Sequence, residues 1–204
     1  KDRIAAIKEL QVGFNAHIFK SIKKGNVKAV KSTLCDLVEE TLQEPRSGTL
    51  QILPETVDML VSGYSQNPDI VKTFASISFK DYSTVIHSVN VMALTLGFCF
   101  YSKKSLTETK RLGLSALLHD VGKTEIPDHI LKAPRKLSSG EFKVMKRHPK
   151  IGEFIIKVKS GIDDGVARGA REHHEKLDGS GYPKGTQQIS FVGQVLGIID
   201  CYEA

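Results

Sequence analysis

Seven histidines occur in 204 residues. Five of them, His87, His119, His148, His173 and His174, lie within or at the end of apolar, helix-patterned segments. Two bring a second ligand-type residue at once: Asp120 follows His119, and His174 follows His173. Asp200 closes the apolar run "VLGIID". A buried neutral imidazole must hydrogen-bond or bind a metal, and a buried carboxylate without a cation is costly. Any one of these histidines alone reads as a satisfied core residue. Five of them with two carboxylates read as a metal centre. Mixed imidazole and carboxylate donors suit iron, manganese, zinc or cobalt, whereas all-oxygen sets suit calcium or magnesium. Seven donors exceed the needs of one ion, but two ions bridged by one carboxylate would use them all. His17 and His129 sit among charged or turn residues and read as surface positions.

The elements that must position these side chains read as helices. Ile4, Ile7, Phe14 and Ile18 recur at helical spacing until "KKGN", and Val27, Val30, Leu34, Leu37 and Val38 mark a second helix. "EPRSG" at 44–48 is the best linker candidate, and Pro54 suits a first helical turn. "QNPD" at 66–69 breaks the chain, and Asp69 is a candidate helix start. Asp81 or Ser83 is placed to cap the helix that carries His87. "SLTETKRLGLSALLHD" runs into His119-Asp120, with Gly122 placed to end it. Ser138 and Glu141 form a capping box, and Pro149 kinks or restarts the helix at His148. Asp163 and Ser190 are placed to cap the helices that lead to His173-His174 and to Asp200. Strand alternation is short, so an all-α helical bundle is expected. A smaller helical N-terminal region, 1–75, is expected to precede a larger domain, 76–204.

Composition narrows the class. With 40% hydrophobic and 25% charged residues the chain reads as ordinary globular protein. Its longest apolar run, 91–101, is about half a membrane span, and no signal-peptide pattern opens it. Neither a membrane nor DNA is an expected partner. Cys35, Cys99 and Cys201 form no CxxC pair, so a reduced, cytoplasmic setting is the default. A formal charge of +6 favours anionic partners such as nucleotides, although most lysines read as solvated helix faces. The first residue is Lys1 and not Met, as expected of a piece of a longer chain.

"LLHDVGK" at 117–123, "HPKIG" at 148–152 and "HHEKLDGSGYP" at 173–183 together resemble the HD-GYP subgroup of the HD phosphohydrolases. The resemblance covers about residues 81–204, and "IPDHILKAPRKLSSGEF" resembles the family's intervening segment. It implies an HD-type helical bundle that hydrolyses cyclic di-GMP to pGpG or onward to GMP. Carried over by position, it makes His87, His119, Asp120, His148, His173, His174 and Asp200 metal ligands. Asp120 would bridge two divalent ions, with His87, His119 and Asp200 completing one site and His148, His173 and His174 the other. Iron is the expected metal and manganese the alternative. Two such ions, ~3.5–4 Å apart, can hold a bridging hydroxide as nucleophile and neutralise the diester.

Lys123 is then expected to reach a phosphate or leaving oxygen. In the loop Gly181-Tyr182-Pro183, glycine permits backbone angles closed to other residues, Pro183 stiffens the turn, and Tyr182 stacks on a guanine or supports the fold beneath the site. Glu175 and Asp178 are expected to orient the histidines without binding metal. The resemblance also links this loop to GGDEF-domain partners, and makes the N-terminal region a candidate regulatory or homodimer surface.

Three departures from the family pattern bear on activity. Ser83 stands where some members carry a Glu that supports a third metal, so two metals are expected. Cys201-Tyr202-Glu203 replaces the usual aromatic residue and second Asp, and the segment after Ala204 that would bring Arg and Lys to the phosphates is missing from this piece. The stretch "GTQQIS" is shorter than the usual loop. Two rivals follow: a receptor or scaffold that binds cyclic di-GMP or a GGDEF partner without turnover, and an HD phosphohydrolase of another nucleotide.

Overall fold

The structure, a computed structural model, describes residues 2–65, 67–77 and 83–204. Asp81, one of the two candidate caps, lies outside these. The described residues form eleven α-helices and no strand. In chain order these are α1 (Asp2–Lys23), α2 (Val27–Leu42), α3 (Leu53–Tyr64), α4 (Pro68–Ser76), α5 (Thr84–Tyr101) and α6 (Leu106–Leu118). After them come α7 (Asp128–Leu131), α8 (Ser139–Met145), α9 (His148–Phe154), α10 (Asp164–Glu172) and α11 (Phe191–Glu203).

The starts follow from short polar side chains that satisfy first-turn N–H groups. Asn26 accepts from Ala29 N, Ser83 from Ile86 N, and Ser190 from Gly193 N. Asp163 accepts from Gly165 N. Ser105–Glu108 and Ser138–Glu141 close complete capping boxes at α6 and α8. Asp69 does not start α4; Pro68 occupies the first turn, and Asp69 adds negative charge there.

The boundary expected at 75/76 falls inside α4, and one apolar core runs across it. Leu34 and Leu37 of α2, Leu60 of α3, Phe74 of α4, Met92 of α5 and Leu117 of α6 belong to a single buried cluster. By length and composition alone α5 could cross a membrane. Here it is the central core helix, with Val89, Val91, Met92, Leu96 and Cys99 buried in protein.

One lysine departs from the solvated-face reading. Lys31 of α2 is fully buried, and its Nζ donates to the carbonyls of Phe74 at 3.0 Å and Ile77 at 2.6 Å. It caps the C-terminal end of α4, where unpaired carbonyls and the helix dipole favour a cation. Burial pushes its pKa down from the ordinary lysine value. The N-terminal helices are thereby tied to the segment leading into α5.

Candidate metal centre

Local geometry aims each histidine. His119 follows the last residue of α6, and its Nδ1–H donates to Ala116 O at 2.7 Å. His148 opens α9 and donates from Nδ1 to Met145 O at 2.9 Å. His173 follows α10 and donates from Nδ1 to Ala170 O at 2.9 Å. Carbonyls only accept, so all three Nδ1 atoms carry hydrogen, and Nε2 presents a lone pair when the ring is neutral. All three Nε2 atoms converge on Asp120.

The two oxygens of Asp120 divide the surroundings. Oδ1 faces His148 Nε2 at 3.3 Å and His173 Nε2 at 3.7 Å. Oδ2 faces His119 Nε2 at 3.4 Å and His87 Nε2 at 3.7 Å, and accepts from Lys123 Nζ at 2.5 Å. Asp200 adds Oδ1, 2.9 Å from His87 Nε2 and 3.6 Å from His119 Nε2. Its Oδ2 lies 4.0 Å from His174 Nδ1.

Two observations test whether these groups fit a metal. His148 Nε2 and His173 Nε2 stand 3.3 Å apart, and each is a lone pair in the neutral tautomer that the backbone selects. Two lone pairs at that distance require a proton or a cation between them. His119 Nε2 and Asp120 Oδ1 are buried without a hydrogen-bond partner among the described residues, a costly state that an ion relieves. Three donor triads each gather within 4.8 Å: His148/His173/His174, His87/His119/Asp120 and His119/His173/Asp200. The donor set and its closure fit divalent metal.

The protonation tendencies separate by position. Burial pushes His148 down to about 4, reinforced by neighbouring His173 and Lys123. Burial with His173 and His148 pushes His174 down to about 2. Burial also opposes charge on His87, but hydrogen bonds to Asp200 and Glu203 outweigh it and raise its pKa. For Asp120 burial is outweighed by His119, His173, Lys123 and His148, which hold the carboxyl well below its usual range.

The backbone that brings these groups together depends on Gly122. It does not end α6 in a left-handed turn as its place in the sequence suggests. The chain passes through His119 and Asp120 into a 3-10 turn at Val121–Glu125. A Cβ on Gly122 would lie 2.0 Å from His148 O and 2.6 Å from Gly152 N. Only glycine allows this turn to lie against α9 and set His148 beside Asp120. Arg171 then ties the supporting helices, donating to Glu153 of α9 at 2.5 Å and to Glu172 at 2.7 Å. Glu172 in turn accepts from Ser190 N at 2.9 Å, at the start of α11.

Several loop residues have other roles than expected. The Glu175 carboxylate does not orient a histidine; it accepts from Lys184 N at 2.7 Å and Thr186 N at 3.1 Å, holding the Gly-Tyr-Pro loop closed. Asp178 is also away from the histidines and accepts from Ser180 N at 2.8 Å within the turn. Gly181 is needed for close approach and not for a left-handed φ, since a Cβ there would lie 2.3 Å from Lys176 N. Tyr182 stacks on His174 with ring centroids 4.6 Å apart, and Pro183 follows it in the loop.

Glu203 was legible only as a departure from pattern. Its carboxylate accepts from His87 Nδ1 through Oε2 and from Asn90 Nδ2 at 2.7 Å through Oε1. Through this contact α11 orients the imidazole of α5 from behind. No local signal announces it, because the partners are 116 residues apart. The centre opens into a cavity of about 870 Å³ whose walls include His87, Lys123, His148, His174 and Asp200. Lys123 faces this cavity while paired to Asp120.

A family model described as HD domain matches residues 69–204. The chain belongs to the HD domain family. Its His-Asp, His-Pro and His-His…Gly-Tyr-Pro elements are those of the HD-GYP group. Cyclic di-GMP phosphodiesterase PA4108 of Pseudomonas aeruginosa is 32% identical over 152 residues, 74% of this chain and 37% of that protein. 3'3'-cGAMP-specific phosphodiesterase 1 of Vibrio cholerae is 32% identical over 130 residues, 63% of this chain and 30% of its own length. The chain thus spans about a third of the curated relatives it matches. A solved structure, Bd1817, an HDG"Y"P protein from Bdellovibrio bacteriovorus, shares the fold. It has a TM-score of 0.70 and 20% identity, over 84% of this chain and 57% of that one.

Proposed function

We propose that the protein of which this chain is part is a dinuclear-metal phosphodiesterase that hydrolyses cyclic di-GMP to pGpG or GMP. The observation that carries the reading is the convergence of three backbone-pinned Nε2 atoms on one buried carboxylate. In this reading His87, His119 and Asp200 hold one ion, and His148, His173 and His174 the other, with Asp120 shared. Iron or manganese suits the mixed nitrogen and oxygen donors. When bound, such a pair supplies Lewis acidity that neutralises a diester and brings the pKa of water toward ~7.

The chain's own residues supply the rest. Four of the five imidazoles are held by hydrogen bonds to backbone or carboxylate and His174 by stacking on Tyr182, so little ordering remains for the moment of binding. Lys123, already paired to Asp120, is one side chain away from any phosphate in the cavity and can swing to it as a cation. Tyr182 on His174 closes one wall and limits water. The names of the curated relatives support a cyclic dinucleotide as substrate. A GGDEF-domain partner at the Gly-Tyr-Pro loop, a homodimer and a cytoplasmic setting belong to the same reading. Three free cysteines support the last.

Metal analysis of anaerobically purified protein, with product analysis on cyclic di-GMP, tests it. Two equivalents of iron or manganese with release of pGpG or GMP is the expected result. Metal loading and tight binding without product would move the chain to the receptor class. Turnover of other nucleotides alone would move it to another HD phosphohydrolase.

A further inference from the structure

The cavity over the metal centre is not walled by the HD elements alone. Glu39, on α2 of the N-terminal helices, is part of its lining. Leu37 and Val38 beside it are fully buried, and Lys31 anchors the same helix through Phe74 O and Ile77 O. The position of Glu39 is therefore fixed by the fold, while its side chain is exposed. Among the described residues it makes no ion pair or hydrogen bond through its carboxylate.

Its charge is at odds with its surroundings. The same lining holds Lys123 and Lys132, suited to phosphate. The one other carboxylate in the lining, Asp200, faces the histidines. A carboxylate facing a cavity for a doubly anionic dinucleotide repels the phosphates unless it meets hydrogen-bond donors. The base that offers two adjacent donors is guanine, through N1–H and N2–H; adenine presents an acceptor at N1. Val85, Leu131 and Met145 give the same cavity apolar surface for the faces of a base.

We propose that Glu39 is a specificity-determining residue, whose carboxylate accepts from the N1–H and N2–H of a guanine of the substrate. The N-terminal helices then take part in choosing the base. This rests on the cyclic dinucleotide reading above and deepens it.

The test compares manganese-loaded full chain with Glu39→Gln and Glu39→Ala on three substrates: cyclic di-GMP, cyclic di-AMP and bis(p-nitrophenyl) phosphate, which has no base. Charge-assisted hydrogen bonds of this kind set an expected loss of about tenfold in kcat/KM for cyclic di-GMP. The losses on the other two substrates should be much smaller, so the preference for guanine falls by a similar factor. A parallel change on all three substrates, or no change on any, overturns the contact with Glu39. A wild-type chain that cleaves bis(p-nitrophenyl) phosphate but neither dinucleotide overturns the cyclic dinucleotide reading, and the base contact with it. A wild-type chain that cleaves cyclic di-GMP with selectivity intact in both variants overturns the base contact alone.

Discussion

The two halves of the metal centre are built on different plans. Around Asp120 Oδ1 stand His148 and His173, and His174 gathers with them in one donor triad while lying 4.0 Å from Asp200 Oδ2. The first two take their orientation from carbonyls three residues earlier in their own segments. Around Asp120 Oδ2 stand His87 and His119 with Asp200, and His87 is held by the carboxylate of Glu203. In the first half His148 and His173 are set by local turns, as His119 is in the second. The second is rich in negative charge and depends on α11 meeting α5. The difference teaches that one centre can combine a locally preorganised pole with a pole assembled by tertiary packing.

The largest effect should come from the residue common to both poles. Asp120→Ala is expected to lose both metals and all phosphodiesterase activity, read by elemental analysis and product formation. His148→Ala should instead lose metal from the imidazole pole and leave the other ion in place. If Asp120→Ala keeps full metal content, the shared-ligand assignment is wrong. If His148→Ala empties both poles, they are not separable.

A smaller effect should single out the acidic pole. Glu203→Gln keeps the size of the side chain but removes the charge that orients His87. A loss of about 10- to 100-fold in metal affinity or activity is expected, as for other residues that orient a ligand. Glu203→Asp should recover part of it by restoring the carboxylate. Metal titration should show one site weakened and the other unchanged. Equal weakening of both sites, or recovery by no carboxylate, would sink the positioning role.

The same contrast governs what could be read from sequence. The imidazole pole was legible because His148 and His173 each lie in a short motif, three residues from the carbonyl that aims them, although the two are 25 residues apart. Ser138–Glu141, Asp163 and Ser190 likewise announced their helix starts through local chemistry. Glu203 was not legible as a support for His87, because that contact joins opposite ends of the domain. Lys31 was not singled out, because most lysines read as solvated; the carbonyls of Phe74 and Ile77 at the end of α4 help to make its burial tolerable. Gly122 and Gly181 were visible as glycines, but the reason for them is a neighbouring backbone brought close by the fold.

Lys31 offers a check outside the centre. Lys31→Met keeps the apolar stem but leaves two carbonyls without their donor, which should cost about 1–3 kcal/mol of stability. Denaturant unfolding of the metal-free protein would measure it. An unchanged midpoint would mean that Lys31 does not support the junction between α2 and α4.

The smallest contrast to measure is in proton affinity, with metal removed. His148 is held down to about 4, below its ordinary 6.5. Between those values the unfolded chain binds a proton that the folded chain refuses. The stability linked to His148 is therefore present above about pH 6.5 and is lost as pH falls toward 4. His87 has the opposite sign. Its pKa is raised, with burial outweighed by Asp200 and Glu203. Its contribution is full below pH 6.5 and fades as pH rises through the folded value. In an NMR titration of the metal-free protein, the His87 ring should titrate above 6.5 and the His148 ring should stay neutral until about 4. Glu203→Gln should bring the His87 midpoint down and leave that of His148 where it was. Equal midpoints for the two rings would erase the electrostatic difference between the poles. The local-versus-tertiary difference in how they are held would survive that result, since it rests on hydrogen-bond partners and not on charge.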